Sequence, residues 1–167
     1  MHLSEGVEWA AHSVLLLHAL PEGATLPAAR LAEYHDLPGP YLAKSLQALA
    51  AAGIVASVSG RRGGYRLGRP ADEITLLDIV LAVEGERELF RCTEIRWRGP
   101  ARTTPRAHQP MCGIAAAMRR AEAAWRSELK ATTVADLAGG MEKNAPAEAL
   151  AKSAAWLRHV LPDNGGR

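Results

Sequence analysis

Cys92 and Cys112 are the two thiols of this 167-residue chain. Thiolates bind zinc and iron, but two of them cannot complete a four-coordinate metal site. Glu8 and His12 are candidates for the other two positions, because residues four apart on a helix project from one face, one turn apart. Two thiolates, one imidazole and one carboxylate would supply four ligands.

Each of these residues also has an ordinary structural interpretation. Glu8 could be a solvated surface group, His12 a core histidine with its hydrogen bonds satisfied, and the cysteines small buried hydrophobes. Their surroundings favour a metal site, because positive charge stabilises thiolates and the segment around both cysteines is rich in arginine. The arginines of this segment are Arg91, Arg96, Arg98, Arg102 and Arg106.

The composition predicts a mainly α protein. Hydrophobic residues make up 48% of the chain and aromatic residues 5%, which favours helices packed through small side chains over a sheet sandwich. No apolar run approaches the ~18 residues of a membrane-spanning helix, and no signal peptide is recognisable. We therefore expect a cytoplasmic protein without a membrane partner, in which paired cysteines more often bind metal or sense redox state than form structural disulfides.

Residues 25–53 have the pattern of a helix-turn-helix. Thr25 is the expected cap of a short helix, residues 37–40 break the chain, and a second helix runs from about Pro40 to Ala52. This second helix would enter the major groove of DNA. The residues expected to face outward from it and contact DNA are Tyr41, Lys44, Ser45 and Gln47.

A β-hairpin is predicted directly after this pair of helices. Residues 54–58 are rich in β-branched side chains, residues 60–64 form a glycine-rich turn, and residues 65–67 return as a second strand. No acidic residue occurs between Asp36 and Asp72, so the hairpin would present a basic wing to DNA phosphates. The candidate contacts are Arg61, Arg62, Gly63 and Tyr65. A phosphate-cradling nucleotide loop is the weaker alternative, since these glycines open no helix.

Several motifs together resemble the winged-helix transcriptional regulators that include IscR and NsrR. This resemblance implies a homodimer that binds double-stranded DNA and holds an iron–sulfur cluster through cysteines after residue 85. The motifs that carry the resemblance are Met1-His2-Leu3-Ser4, Tyr41-Leu42-Ala43-Lys44, Ala52-Gly53-Ile54-Val55, Gly63-Gly64-Tyr65-Arg66-Leu67, Ile74-Thr75-Leu76-Leu77-Asp78-Ile79-Val80 and Ala82-Val83-Glu84-Gly85.

The chain departs from the three closely spaced cysteines that are common in that family. Its first helix, from Gly6 to His12, resembles instead the actinobacterial subgroup of redox regulators represented by RsrR. The resemblance implies a [2Fe–2S] cluster with Glu8 and His12 from one subunit and Cys92 and Cys112 from its partner. Trp9 would then lie beside the cluster or belong to the ordinary core.

The expected organisation has four parts. Residues 1–85 form the winged helix-turn-helix DNA-binding domain, residues 86–112 the cluster-binding loop, and residues 113–138 the dimerisation helix. A boundary at Gly139-Gly140 separates residues 139–167, which form a final helix and tail. The dimer would place two recognition helices about one DNA turn apart on a pseudo-palindromic operator.

Two other classes of function are open on the residues alone. The protein could bind DNA without a cluster and use its cysteines as a thiol switch or a zinc site. It could also be an enzyme, but no nucleophile stands beside a base at motif spacing, so we expect none.

Overall fold

The computed structural model describes residues 3–60, 63–100, 102 and 112–161. It is mainly helical with one antiparallel hairpin, which confirms the predicted fold class. No helix in the described part of the chain combines the length and apolarity that a membrane crossing requires. The elements are α1 (Glu5–His18), α2 (Ala28–His35), α3 (Gly39–Ala51), β1 (Val55–Val58), β2 (Gly64–Leu67), α4 (Leu76–Glu84), α5 (Gly113–Ala131), α6 (Val134–Asn144) and α7 (Ala147–Val160), with short 3-10 turns at Ala71–Glu73 and Ile95–Trp97.

Helix α1 forms the centre of the packing and contacts α2, α3, α4, α6 and β2. Val7, Ala10 and Val14 lie on its buried face, as the apolar spacing predicts. Ser4 occupies the N-cap position, but its hydroxyl does not bond the backbone of its own helix. The Ser4 backbone N–H and hydroxyl donate instead to Glu84 Oε1 at the end of α4, at 2.8 and 2.6 Å. The start of α1 is thereby tied to the end of α4.

The predicted helix-turn-helix is formed by α2 and α3, whose leucines are fully buried in the core. The expected cap at Thr25 is wrong, since α2 begins only after Pro27. The reason lies in the neighbouring residue: Leu26 pairs with Tyr65 of β2 through two backbone hydrogen bonds of 2.9 and 2.8 Å. This pairing holds the chain extended until the proline.

The hairpin has the predicted place and register, with Val55 opposite Leu67 and Val58 opposite Gly64. Glycine is required at position 64 because a Cβ there would lie 2.5 Å from the Leu26 carbonyl carbon. Arg61 and Arg62, the predicted tip contacts, lie outside the described residues.

The C-terminal helices differ from the prediction of one helix over residues 113–138. Helix α5 ends at Ala131, and the boundary predicted at Gly139-Gly140 is wrong, because both glycines lie inside α6. The break falls at Thr133, which accepts from the Asp136 N–H while the Asp136 carboxylate accepts from the Thr133 N–H, a capping box. Val134 N–H also donates to the Ile74 carbonyl at 2.9 Å, which holds this break against the start of α4.

Replacing Thr133 with alanine should destabilise the fold by about 1 kcal/mol, the usual loss for an N-cap hydroxyl. The Thr133 hydroxyl and N–H hold the pKa of Asp136 below its usual value. Stability from this contact is therefore present above the unfolded pKa of an aspartate and is lost as the pH falls through the lowered folded value. Urea unfolding at a series of pH values should show the difference between wild type and Thr133→Ala shrinking in acid.

Thr132→Ala is the matched control, because the Thr132 hydroxyl donates only to the Glu128 carbonyl at 3.3 Å in its own helix. It should cost less than Thr133→Ala at neutral pH. An equal loss in the two variants would contradict the role given to the capping box.

Candidate functional site

The outer face of α3 carries three of the four residues of this helix that were predicted to contact DNA. Tyr41, Lys44 and Gln47 are all exposed, Tyr41 to 67%. Their spacing of three residues places them on one side of the helix. A tyrosine, a lysine and a glutamine there offer hydrogen bonds and one positive charge to a polar, anionic partner.

Ser45 was expected on the same outer face, and this expectation is wrong. Ser45 is 7% exposed, and a Cβ placed on Gly6 of α1 would lie 3.3 Å from its hydroxyl oxygen. Ser45 follows Leu42 by three residues and precedes Leu49 by four, so it shares their buried side of α3. Its small side chain lets α1 and α3 approach closely.

The hairpin that follows α3 also carries positive charge. Arg66 is exposed, whereas Arg69 forms an ion pair with Asp78 at 3.1 Å. Tyr65, a predicted DNA contact, is half-buried and packs against the core. A Cβ at position 63 would lie 2.8 Å from the Gly60 carbonyl oxygen. Close backbone packing therefore explains why glycine occupies this position.

Glu8 and His12 lie on the exposed side of α1, as their spacing predicts. Both line one surface recess, which Ala11 and Leu76 also border. A carboxylate and an imidazole that share one recess are ordinary donors for a transition metal ion. They form one candidate half-site, called the helix half-site below.

Cys92 and Cys112 form the second candidate half-site, called the thiol half-site below. Both thiols are free and half-buried. Cys112 is the N-cap of α5, and the backbone N–H groups of Ala115 and Ile114 lower the pKa of its thiol, with a further contribution from the positive charge of Arg96. This geometry favours the thiolate, which is the form that binds metal.

Arg96 interacts electrostatically with both thiols. Its guanidinium donates to Glu94 Oε2 through Nε at 2.9 Å and through Nη2 at 2.7 Å, which fixes its position. The sequence indicated an arginine-rich segment here but not which arginine serves the thiols. Glu94 has a left-handed backbone, with φ 48°, at the start of the 3-10 turn Ile95–Trp97.

The two half-sites do not meet within one chain. In the residues described, no three histidine, cysteine or acidic side chains converge as a metal site. The donor chemistry nevertheless fits a two-iron cluster, in which one iron takes two thiolates and the other takes two different ligands. A second copy of the chain would have to bring a thiol half-site to a helix half-site.

Trp9 links α1 to the outer face of α3. Its ring meets that of Tyr41 edge to face, with centroids 6.5 Å apart. Trp9 is adjacent to Glu8 in sequence. A structural change at the helix half-site could therefore pass through Trp9 to Tyr41, an exposed residue of α3. The indole is half-buried and packs against the hydrophobic core.

His35 was not singled out by the sequence, yet it lies beside His12 with ring centroids 5.7 Å apart. Burial lowers the pKa of His35, and the neighbouring His12 lowers it further. Its Nε2 is buried and has no hydrogen-bond partner among the described residues. A single histidine at the end of α2 carries no sequence signal that could have revealed this contact.

Comparison with known proteins places these features in a family. Residues 3–140 match the family model Rrf2, described as an iron-dependent transcriptional regulator. A predicted HTH-type transcriptional regulator of Mycobacterium tuberculosis, Rv1287, is 30% identical over 143 residues, which cover 84% of this chain and 83% of that protein. Protein Aau3 of Rhizobium meliloti is 40% identical over 97 residues, which cover 58% of this chain. The chain spans 59% of the length of Aau3.

Solved structures show the same fold. T. potens IscR superposes with a TM-score of 0.65 at 22% identity, covering 88% of this chain and 93% of that one. The oxidised form of Staphylococcus aureus CymR superposes with a TM-score of 0.61 at 28% identity, covering 83% of this chain and 96% of that one.

The reactivity of the Cys112 thiol tests whether the backbone N–H groups at the start of α5 lower its pKa. In iron-free protein carrying Cys92→Ser, alkylation of Cys112 should titrate below the ordinary pKa of a thiol. Ile114→Pro removes one of the two donating N–H groups at a position in the first helical turn that tolerates proline, so it should move the titration upward. The pH dependence of the iodoacetamide rate measures this shift.

Ile114→Ala is the control, because it shortens the same exposed side chain and keeps the N–H. It should leave the alkylation profile in place. An upward shift of similar size in both variants would show that the side chain, and not the backbone donor, sets the reactivity of Cys112.

Proposed function

The chain belongs to the Rrf2 family of transcriptional regulators, and from this premise we propose that it is a homodimeric DNA-binding regulator that senses redox state or nitric oxide through a [2Fe–2S] cluster. The proposed ligands are Glu8 and His12 of one subunit and Cys92 and Cys112 of its partner. One observation carries this function: the chain presents two complementary half-sites that it does not join by itself.

Each half-site has a defined part in the proposal. The thiol half-site supplies two thiolates, and the α5 N-terminus and Arg96 stabilise the negative charge of Cys112. The helix half-site supplies one carboxylate and one imidazole from the open side of α1. When bound, the cluster accepts or releases one electron at a potential that depends on these mixed ligands. This ligand set is the reason for proposing kinship with the RsrR subgroup.

Helix α1 is the proposed route from the cluster to DNA. It packs on α3 through the close approach of Gly6 and Ser45, and Trp9 contacts Tyr41. A shift of α1 that follows a change of charge at Glu8 and His12 would therefore move the outer face of α3. The Ser4 contacts with Glu84 limit this movement to a pivot about the start of the helix.

Helix α5 is the proposed dimer interface. It has one buried residue, Ala115, while Ile114 is 67% and Met118 40% exposed. Exposed apolar side chains along a helix of this length favour a partner that covers them. A twofold dimer through α5 would present two copies of α3 and of the wing to a pseudo-palindromic operator.

A cluster-free thiol switch is a second candidate, because both cysteines are free and interact with Arg96. The structures similar to this chain include CymR, which in B. subtilis is described as a global cysteine regulator. In this alternative the cysteines react without any contribution from Glu8 or His12. The two candidates therefore differ in whether the helix half-site matters.

Mixed dimers test the proposed sharing of ligands between subunits. One chain carries Glu8→Ala and His12→Ala, and the other, with a different affinity tag, carries Cys92→Ser and Cys112→Ser. Each variant alone has no complete ligand set. Their heterodimer has one complete set and one empty set if ligands are shared between subunits, so it should hold about half the iron and sulfide of wild type. Anaerobic purification and visible absorption measure this.

The homodimers of each variant are the controls and should be colourless. A colourless heterodimer with a coloured wild type would contradict ligation across the interface. A wild type without iron and sulfide would leave the thiol switch as the function.

The wing should contribute phosphate contacts. Replacing Arg61 and Arg62 with alanine should weaken operator binding and make the salt dependence of log K shallower by about 0.9 for each phosphate contact removed. Fluorescence anisotropy at several salt concentrations measures both effects. Lys152→Ala is the control for loss of a positive charge outside the wing, because Lys152 lies on α7 in an ion pair with Glu148. An unchanged slope in the arginine variant would refute the wing contacts.

A further inference from the structure

A cavity of ≈ 520 Å³ opens between α1, α2, α6 and α7. Its wall is mostly apolar, with Leu15 and Leu16 from α1, Met141 from α6, and Leu150 and Leu157 from α7. Met141 and Leu150 are exposed to 45% and 37%, so apolar surface faces the opening. A concave apolar site of this volume is typical of small-molecule binding sites.

One residue that lines this cavity has a buried polar atom without a hydrogen bond. His35 lines it, and His35 Nε2 has no hydrogen bond among the described residues. The other nearby polar pair is satisfied, since the hydroxyls of Tyr34 and Ser153 bond each other at 2.6 Å. A buried polar atom without a hydrogen bond is unfavourable, so a ligand that bonds to His35 gains affinity there.

The outer wall of the cavity lies beyond the residues that match the family model. Helix α7 begins at Ala147, after the residues 3–140 that match the family model. Trp156 holds α7 on α2 by an edge-to-face contact with Tyr34, with centroids 4.8 Å apart. The cavity therefore depends on a helix that the family model does not include.

We propose that this cavity binds a small, mostly apolar molecule that carries a hydroxyl group, such as a hydroxylated aromatic compound. The apolar wall accepts the ring. The hydroxyl bonds to His35 Nε2, and it can do so in either tautomer of the imidazole because a hydroxyl both donates and accepts. The bound molecule would contact α2, the first helix of the helix-turn-helix, at Tyr34 and His35.

This site does not need the proposed cluster, although one proposed ligand, His12, also lines the cavity. Neither cysteine lines it, and α7 supplies none of the proposed metal ligands. Binding of the small molecule is therefore expected in iron-free protein, on which it is measured. Failure of one proposal would leave the other in place.

The test measures binding of 2-naphthol and of naphthalene to the full-length chain by ligand-observed NMR. Wild type should bind 2-naphthol about three- to tenfold more tightly than naphthalene, the range that one hydrogen bond provides. In His35→Phe the two compounds should bind about equally, because the hydroxyl loses its partner. Ala154→Trp, which fills the cavity from α7, should weaken binding of both compounds at least about tenfold, as expected when a ligand's volume is occupied.

Ala155→Trp is the matched control, since Ala155 neighbours Ala154 and is equally classed as exposed, but does not line the cavity. It should bind both compounds as wild type does. Circular dichroism and thermal melting establish that each variant is folded, and Met141→Trp fills the cavity from α6 as an independent variant. The proposal is overturned by a wild type that binds neither compound, by an unchanged preference for 2-naphthol in His35→Phe, or by equal binding in folded Ala154→Trp and Ala155→Trp.

Discussion

The close approach of α1 to α3 is the contact on which the other features of this molecule depend. It exists because the residues at the crossing are small: a Cβ on Gly6 would lie 3.3 Å both from the Ser45 hydroxyl oxygen and from Val83 Cγ1. A larger side chain at position 6 would separate α1 from α3 and α4 together. The same helix carries Glu8 and His12 on its open side and borders the cavity at Leu15 and Leu16. Helix α1 thus fixes the geometry of its contact with α3, of the helix half-site and of the cavity.

The proposed metal site divides its chemistry between two kinds of support. The thiol half-site depends on a helix N-terminus, where backbone donors of the same helix stabilise negative charge at Cys112. This stabilisation is local to the start of α5. The helix half-site depends on packing, since the buried face of α1 places Glu8 and His12 on the exposed side of the helix. In the proposed dimer, a disturbance of the interface would separate the two sets without changing either one. Cluster assembly would then depend on the integrity of the dimer as well as on the redox state of the cluster.

The sequence predicted those features that depend on local pattern. The order of α1, α2, α3 and the hairpin follows from apolar spacing and turn residues, and Glu8 and His12 share a face because of helical periodicity. The errors arose where a local signal competes with tertiary contact. Gly139 and Gly140 read as a break, yet the capping box of Thr133 decides where α6 begins. Ser45 is polar but shares the buried face of α3, and its spacing from Leu42 could have shown this. The contact of His35 with His12 depends on how α1 crosses α2, which no local pattern contains.

The two proposed sites share His12, which lines both the recess of the helix half-site and the cavity. A ligand in the cavity would limit the positions that the His12 side chain can take, and a metal on His12 would in turn change the wall that the ligand meets. Linkage then requires that each occupant alter the affinity of the other by the same factor. Whether the two occupants strengthen or weaken each other's binding depends on whether the ligand favours the rotamer of His12 that points toward Glu8. A regulator built this way would combine a redox signal and a chemical one on a single helix, because both act on α1 before either reaches α3.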